Sequence, residues 1–133
     1  MTGPLHGVRV VEFEAPGPVA WAGMMLADLG AQVTRIVRPG SAAPDLRFEW
    51  LLRGRETLEA DLMDAQGLRK ALDAIAAADV VVEGMRPGVM ERLGLGPDAC
   101  FAKKPSLVYG RMTGWGRTGR APSSWGTTST SWR

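Results

Sequence analysis

The sequence predicts an α/β fold in which a parallel sheet is flanked by helices. Three observations carry this expectation. Short apolar runs rich in β-branched residues recur along the chain, at 8–13, 32–37, 78–82 and 107–112. Helix-forming stretches lie between them, and glycine, proline and aspartate mark the junctions. Strands that alternate with helices pair in parallel through right-handed crossovers, because the helix returns the chain to the end of the sheet from which it started.

In order, Val8 to Phe13 (VRVVEF) is a strand covered on both faces, since parallel strands read as near-continuous apolar runs. Glu14 to Pro18 turn the chain, and Pro18 suits the first turn of a helix, where its missing N–H has no partner to lose. Val19 to Leu29 (VAWAGMMLADL) is a mostly apolar helix, stopped by Gly30. A helix apolar nearly all round belongs in a core or an interface. Gln32 to Val37 (QVTRIV) is the second strand, broken by Pro39 and Gly40. Residues 41–54 read as a loop with room for a short helix, and Glu56 to Leu62 hold a third strand. Asp64 caps a helix that runs to about Ala77, with apolar residues at Leu68, Leu72 and Ile75. Ala78 to Val82 (ADVVV) is a buried strand. Pro87 to Leu93 gives a helical turn or two, Pro97 to Ala102 another short helix, and Leu107 to Met112 (LVYGRM) the last strand.

The 133 residues suit one domain, which at this size buries roughly 65–70% of the surface of its unfolded chain. Sixteen basic residues face fourteen acidic ones, and a net charge of +2 demands no nucleic acid. Cys100 is the only cysteine, so no intramolecular disulfide forms, a reducing compartment is expected, and the thiol reads as buried and inert. No stretch approaches the ~20 apolar residues of a membrane span. Met1 to Gly7 lacks the regions of a signal peptide, and a cytoplasmic location is expected.

In an open α/β sheet, ligands bind beyond the carboxyl ends of the strands. The turn after the first strand carries Ala15, Pro16 and Gly17 before a helix N-terminus. No G-x-G-x-x-G pattern occurs, which argues against an ordinary dinucleotide site. At the end of the second strand, where nicotinamide enzymes carry an acid for the ribose, stands Arg38. Arginine there suits a ribose phosphate, and coenzyme A carries one at its 3′ position. Arg86, after the fourth strand, suits a second phosphate, with Arg92 a turn or two beyond it. Arg53 and Arg55 flank Gly54 before the third strand. Only Lys70, Lys103 and Lys104 are lysines, and the guanidinium fork matches phosphate better than an ammonium does. A GC-rich genome produces the same bias, and many surface arginines are merely solvated.

The blocks GPLHGVRVVEF, PGPVAWAGMMLADLGAQVTRIVRPG, ADVVVEGMRPGVMERLGLGPDAC and LVYGRMTGWGRTG resemble, in order and spacing, the family III CoA-transferases of the CaiB/BaiF type, from Gly3 to Gly119. RMTGWG at Arg111–Gly116 is similar to the α-methylacyl-CoA racemase branch, where transferases more often have Ser-Gly-Phe-Gly. The resemblance implies a large domain with a Rossmann-like parallel sheet, of which this chain is an incomplete N-terminal part. It also implies a second, smaller domain and an interlocked homodimer. The implied substrate is an acyl-CoA thioester. Coenzyme A enters as part of that substrate, with no prosthetic group, metal, nucleic acid or membrane. By resemblance Arg38 holds the 3′-phosphate region, and Ala15 and Pro16 lie near the thioester. Ala60, Asp61, Leu62 and Met63 line the adenine side, while Gly84, Met85, Arg86 and Arg92 contact the nucleotide and its phosphates. Relatives often carry lysine where Met63 stands, which puts one phosphate contact in doubt.

Racemases of this branch epimerise 2-methylacyl-CoA by removing and returning the α-proton, with a histidine in a Gly-His-Asp-Ile-Asn motif just after GWGxTG and a later aspartate. Neither group appears here, and the sole histidine, His6, precedes the first strand as a solvated residue. No catalytic residue is therefore expected in this chain, and no turnover from it alone. Two alternatives stand beside this one. The chain is part of a transferase that moves CoA between carboxylic acids through an aspartyl anhydride formed beyond it, or it is a nucleotide-binding module without chemistry.

The similarity stops after Gly119, where a CoA-binding region 1–119 gives way to a tail, 120–133, expected to be disordered. WGTTSTSWR, at Trp125–Arg133, back-translates with free choice of third bases as TGG GGC ACG ACA TCA ACT TCC TGG CGN. Read from its third base, that string encodes Gly-His-Asp-Ile-Asn-Phe-Leu-Ala, the missing motif. The tail thus reads as coding sequence that has slipped by one base near Gly119.

Overall fold

The computed structural model describes residues 2–15, 17–41, 46–114 and 116–117. Five strands and four helices alternate: β1 Arg9–Phe13, α1 Pro18–Asp28, β2 Gln32–Val37, β3 Arg55–Glu59, α2 Ala65–Ala77, β4 Val80–Glu83, α3 Val89–Arg92, α4 Pro97–Lys103 and β5 Val108–Arg111. A 3-10 helix, Leu46–Leu52, fills part of the loop between β2 and β3. All strand pairs are parallel, in the order β3-β2-β1-β4-β5. The winding therefore reverses between β1 and β4, which opens a crevice at their carboxyl ends. The expected α/β sheet with flanking helices is present. The tail 120–133 and the boundary before it lie outside the described residues, as does Pro16.

Local chemistry sets most element ends. Leu29 closes α1, and Gly30 beyond it takes φ +98°, a conformation that a side chain disfavours. The Gly30 N–H then donates to Ala27 O at 2.9 Å and Ala31 N–H to Leu26 O at 3.0 Å, the paired bonds of a Schellman cap. Asp64 starts α2 as expected, accepting from Gly67 N–H at 2.8 Å. The third strand differs from expectation. It begins at Arg55 and stops at Glu59. Asp61 ends it by turning the chain: its Oδ1 accepts Met63 N–H at 2.9 Å and its carbonyl accepts Asp64 N–H at 3.2 Å.

The central strands of the sheet, β2, β1 and β4, are buried on both faces. Val11, Phe13, Ile36 and Val81 pack on one side with Ala71, Ile75, Met90, Leu95 and Cys100. Val10, Val33 and Val82 pack on the other with Ala15 and Val19. Cys100 is buried, its Sγ 3.4 Å from Leu95 O, and burial pushes its thiol pKa up, as an inert thiol requires. The apolar helix α1 buries only Val19, Ala20, Gly23 and Met24, while Trp21, Met25 and Leu29 form a half-exposed stripe four residues apart. The Trp21 ring meets Trp50 edge-on, with centroids 5.9 Å apart.

A charge lies beneath α1. Glu12, on β1, is 0% exposed, and the Arg55 side chain 1%. Arg55 Nη1 donates to both Glu12 oxygens at 2.6 and 2.5 Å, and Nη2 to Ala20 O at 2.7 Å. Burial raises the Glu12 pKa, against the opposing pull of Arg55. Residue 23 is glycine because a Cβ there would overlap the Glu12 carboxylate. Among the described residues, no helix is long and apolar enough to cross a membrane.

Candidate functional site

A cavity of about 900 Å³ opens at the carboxyl edge of the sheet. Its lining includes Phe13, Ile36 and Val37 from the ends of β1 and β2, Arg38 to Ser41 beyond β2, and Ala60 to Met63 beyond β3. Met85 contributes from beyond β4, and Val89, Arg92 and Leu93 from α3 and its end. The strand ends thus gather segments distant in sequence around one space.

Arg38 and Arg92 are both exposed on this lining. Neither guanidinium is ion-paired or hydrogen-bonded to protein among the described residues. The two lining carboxylates are already engaged. Glu14 Oε1 accepts from Arg35 Nη2 at 2.9 Å, and Asp61 Oδ1 accepts from Met63 N–H at 2.9 Å. The two arginines therefore outnumber the one carboxylate of the lining without a cationic partner, Asp61, and leave the cavity open to a ligand anion.

Of the candidates read from sequence, Arg38, Ala60, Asp61, Leu62, Met63, Met85 and Arg92 meet in this cavity. Ala15 and Gly84 lie in the crevice between β1 and β4 instead. A Cβ at residue 84 would stand 2.6 Å from Val19 Cγ2 and 3.2 Å from Ala15 Cβ, so glycine there lets the two central turns close on each other. Arg86 is exposed and does not line the cavity; its carbonyl accepts Val89 N–H at 3.1 Å. Pro16 lies outside the described residues.

Arg53 and Arg55 are withdrawn from the phosphate candidates. β3 starts at Arg55, so both stand at the amino edge of the sheet, away from the cavity. Arg55 is held by Glu12, and Arg53 donates to Asp28 at 3.0 and 2.5 Å. His6, exposed, lies near the same amino edge and lines a separate hollow with Arg9 and Gln32.

A second charge network escaped the sequence reading. Glu83, 2% exposed, ends β4 and accepts Met85 N–H at 2.7 Å. Arg111 ends β5 directly opposite, its Nε 3.2 Å from Glu83 Oε1. Arg111 Nη2 donates to Glu91 at 2.5 Å, and Arg117 Nη2 reaches the same oxygen at 2.7 Å. Burial raises the Glu83 pKa, whereas the Arg111 hydrogen bond holds Glu91 below its ordinary value. The one signal in the sequence is a glutamate ending an apolar strand, since a buried carboxylate needs a partner.

The model of CoA-transferase family III matches residues 5–130. The chain belongs to that family. The mouse α-methylacyl-CoA racemase is 43% identical over 115 residues, which cover 86% of this chain and 29% of the mouse protein. The "probable fatty acyl-CoA transferase" Rv3272 of Mycobacterium tuberculosis is 39% identical over 131 residues, with 87% of this chain and 33% of that protein covered. A crystal structure of Rv3272 superposes with a TM-score of 0.85 at 37% identity, over 95% of this chain and 37% of the other. A CAIB/BAIF family protein from Brucella suis gives 0.83 at 29% identity, with the same coverage of 95% and 37%. This family III chain thus spans about a third of the length of these relatives, 29% and 33% of the first two. Relatives named for racemisation and for CoA transfer match at similar identity, 43% and 39%, so membership is shown above that division.

Proposed function

We propose that this chain binds the coenzyme A part of an acyl-CoA thioester, and that the activity it serves is epimerisation of 2-methylacyl-CoA by α-proton removal and return. The observation that carries the binding reading is the pair Arg38 and Arg92, exposed and without a partner among the described residues on one apolar-floored cavity. A volume of about 900 Å³ lies within the range of roughly 300–1,000 Å³ typical of sites for ligands of drug size and above. Phosphates would meet the two guanidiniums, with Arg86 just outside, while Ala60 to Met63 offer apolar surface and backbone edges to the adenine. Ala15, Pro16 and Gly84, in or beside the β1–β4 crevice, lead toward the thioester. The racemase assignment rests on RMTGWG at Arg111–Gly116 and on the mouse relative. Proton transfer falls to groups outside these residues, and the complete protein acts as an interlocked homodimer in the cytoplasm.

Titration calorimetry of this chain with CoA and with 3′-dephospho-CoA tests the site. Arg38→Ala is expected to weaken CoA binding about 10- to 100-fold, the worth of one charge-assisted contact, and to leave the dephospho compound nearly unaffected. Equal losses for both ligands would remove Arg38 from the 3′-phosphate. A chain that binds neither would end the reading.

The reaction is tested in deuterium oxide. The 133-residue chain is expected to exchange no α-proton of 2-methylacyl-CoA, and appreciable exchange would overturn the placement of catalysis elsewhere. A longer, frame-restored protein is expected to incorporate solvent deuterium without passing CoA to a free acid. CoA transfer without that exchange would instead favour the transferase chemistry suggested by the name of the M. tuberculosis relative.

A further inference from the structure

Arg111 does not line the cavity, yet each acid it grips holds a different part of the cavity wall. Glu83 accepts the Met85 N–H at 2.7 Å and so shapes the turn that presents Met85. Glu91 is the neighbour of Arg92 in α3, whose four residues cannot hold themselves in place, because isolated helices below about 12 residues are marginal in water. α3 depends on anchors. Met90, 1% exposed, plugs it into the core from below, and the Glu91 carboxylate ties it from outside.

The tie is directional. The Arg111 guanidinium lies 5.3 Å over the Tyr109 ring. That ring is itself fixed by a bond from its hydroxyl to Leu95 O at 2.7 Å. One planar guanidinium therefore lies between the two acids on a fixed platform, ion-paired to Glu83 at 3.2 Å without a hydrogen bond from Nε and hydrogen-bonded to Glu91 at 2.5 Å through Nη2. A lysine ammonium, a flexible point charge, does not reproduce that span. We infer that Arg111 is a positioning residue: by holding Glu83 and Glu91 together it sets the gap between Met85 and Arg92 and aims Arg92 at its ligand. Arg117, 2.7 Å from the same Glu91 oxygen, braces the arrangement from the other side. The identity of the ligand rests on the CoA reading above; the anchoring of α3 does not.

Two measurements test this on the full chain. The first is a cycle of Glu91→Gln, Arg92→Ala and the double variant, titrated with CoA. Glu91 is chosen because its side chain is 43% exposed and its neutralisation leaves the buried Glu83–Arg111 pair in place. Glu91→Gln is expected to weaken CoA about 5-fold in the parent and to have almost no effect once Arg92 is gone. An equal loss in both backgrounds, or none in the parent, would overturn the inference. The second measurement needs no ligand. Amide hydrogen exchange at Arg92 and Leu93 is expected to lose protection in Glu91→Gln and in Arg111→Lys, while β1 amides keep theirs. Unchanged protection in α3 would overturn the inference. If the parent chain binds no CoA, the CoA reading fails by itself, and the exchange result still decides the role of Arg111.

Discussion

Replacing Arg55 by methionine is expected to remove about 3–5 kcal/mol of stability at neutral pH, the cost of abandoning one member of a buried ion pair. Against a total of roughly 5–15 kcal/mol for a domain, that approaches unfolding. The size follows from the site. Glu12 is 0% exposed, Arg55 Nη1 supplies its two closest hydrogen bonds, and α1 closes over it at Gly23. The sign with pH follows from linkage. Burial already raises the folded Glu12 pKa above its ordinary 4.5, and Arg55 is the main force lowering it. Without Arg55 the folded value climbs further. A carboxyl raised in the folded state contributes its stability below the unfolded value, and loses it as pH rises through the folded one. The deficit of Arg55→Met is therefore expected to shrink on acidification from pH 7 toward about 4.5. Glu12→Gln strands an arginine that cannot shed its proton and removes the titrating carboxyl, whose raised folded pKa favours the parent as pH falls, so its deficit should grow over the same range. Urea unfolding of both variants across that range checks the pair. A deficit for Arg55→Met that grows on acidification would show that Glu12 is not the stranded charge.

Gly67→Ala is expected to reverse the usual benefit of alanine in a helix, which is about 1 kcal/mol over glycine. The added methyl would overlap the carbonyl oxygen of Asp61 and stand 2.6 Å from both its carbon and its nitrogen. These are backbone atoms, which cannot swing aside as a side chain does. Overpacking of this kind costs about 1–3 kcal/mol or more, and the upper end applies here, leaving a net loss of about 2 kcal/mol. The thermal midpoint should fall by roughly 5–10 °C. Asp61, Leu62 and Met63 line the cavity, so relief of the clash displaces one of its walls, and CoA affinity should fall with stability. A midpoint at or above the parent value would show that the turn yields freely.

The structure explains which parts of the molecule were open to reading. β2 was read to its last residue because an apolar run ends at Pro39 and Gly40, and α2 because Asp64 announces its own cap. β3 resisted because Arg55–Glu59 is a polar edge strand with the burial pattern of a loop. Arg53 and Arg55 already precede the expected third strand, at the opposite edge from Arg38; their capture by Asp28 and Glu12 is what the sequence does not announce. Arg38 and Arg92 were recognisable as phosphate candidates. That they share one cavity, where Glu14 is already taken by Arg35, shows only in the fold. Both buried networks join residues remote in sequence; Glu12 and Arg55 are 43 positions apart. Their one trace is an acid inside an apolar run, VVEF at Glu12 and VVVE at Glu83.

The polar edge strand raises a question of alignment. Leu58 is the only aliphatic residue in β3, which gives alternating hydrophobicity little power to choose how the strand slides along β2. Arg55 supplies the choice. A slip of one place would turn its side chain to the opposite face and leave the buried Glu12 without its hydrogen-bonded partner, with only the Arg35 Nε at 3.7 Å beside it. A slip of two would carry it roughly 7 Å past its target. The carboxylate under α1 thus serves as an index pin, against which the least oily strand of the sheet can seat in one position.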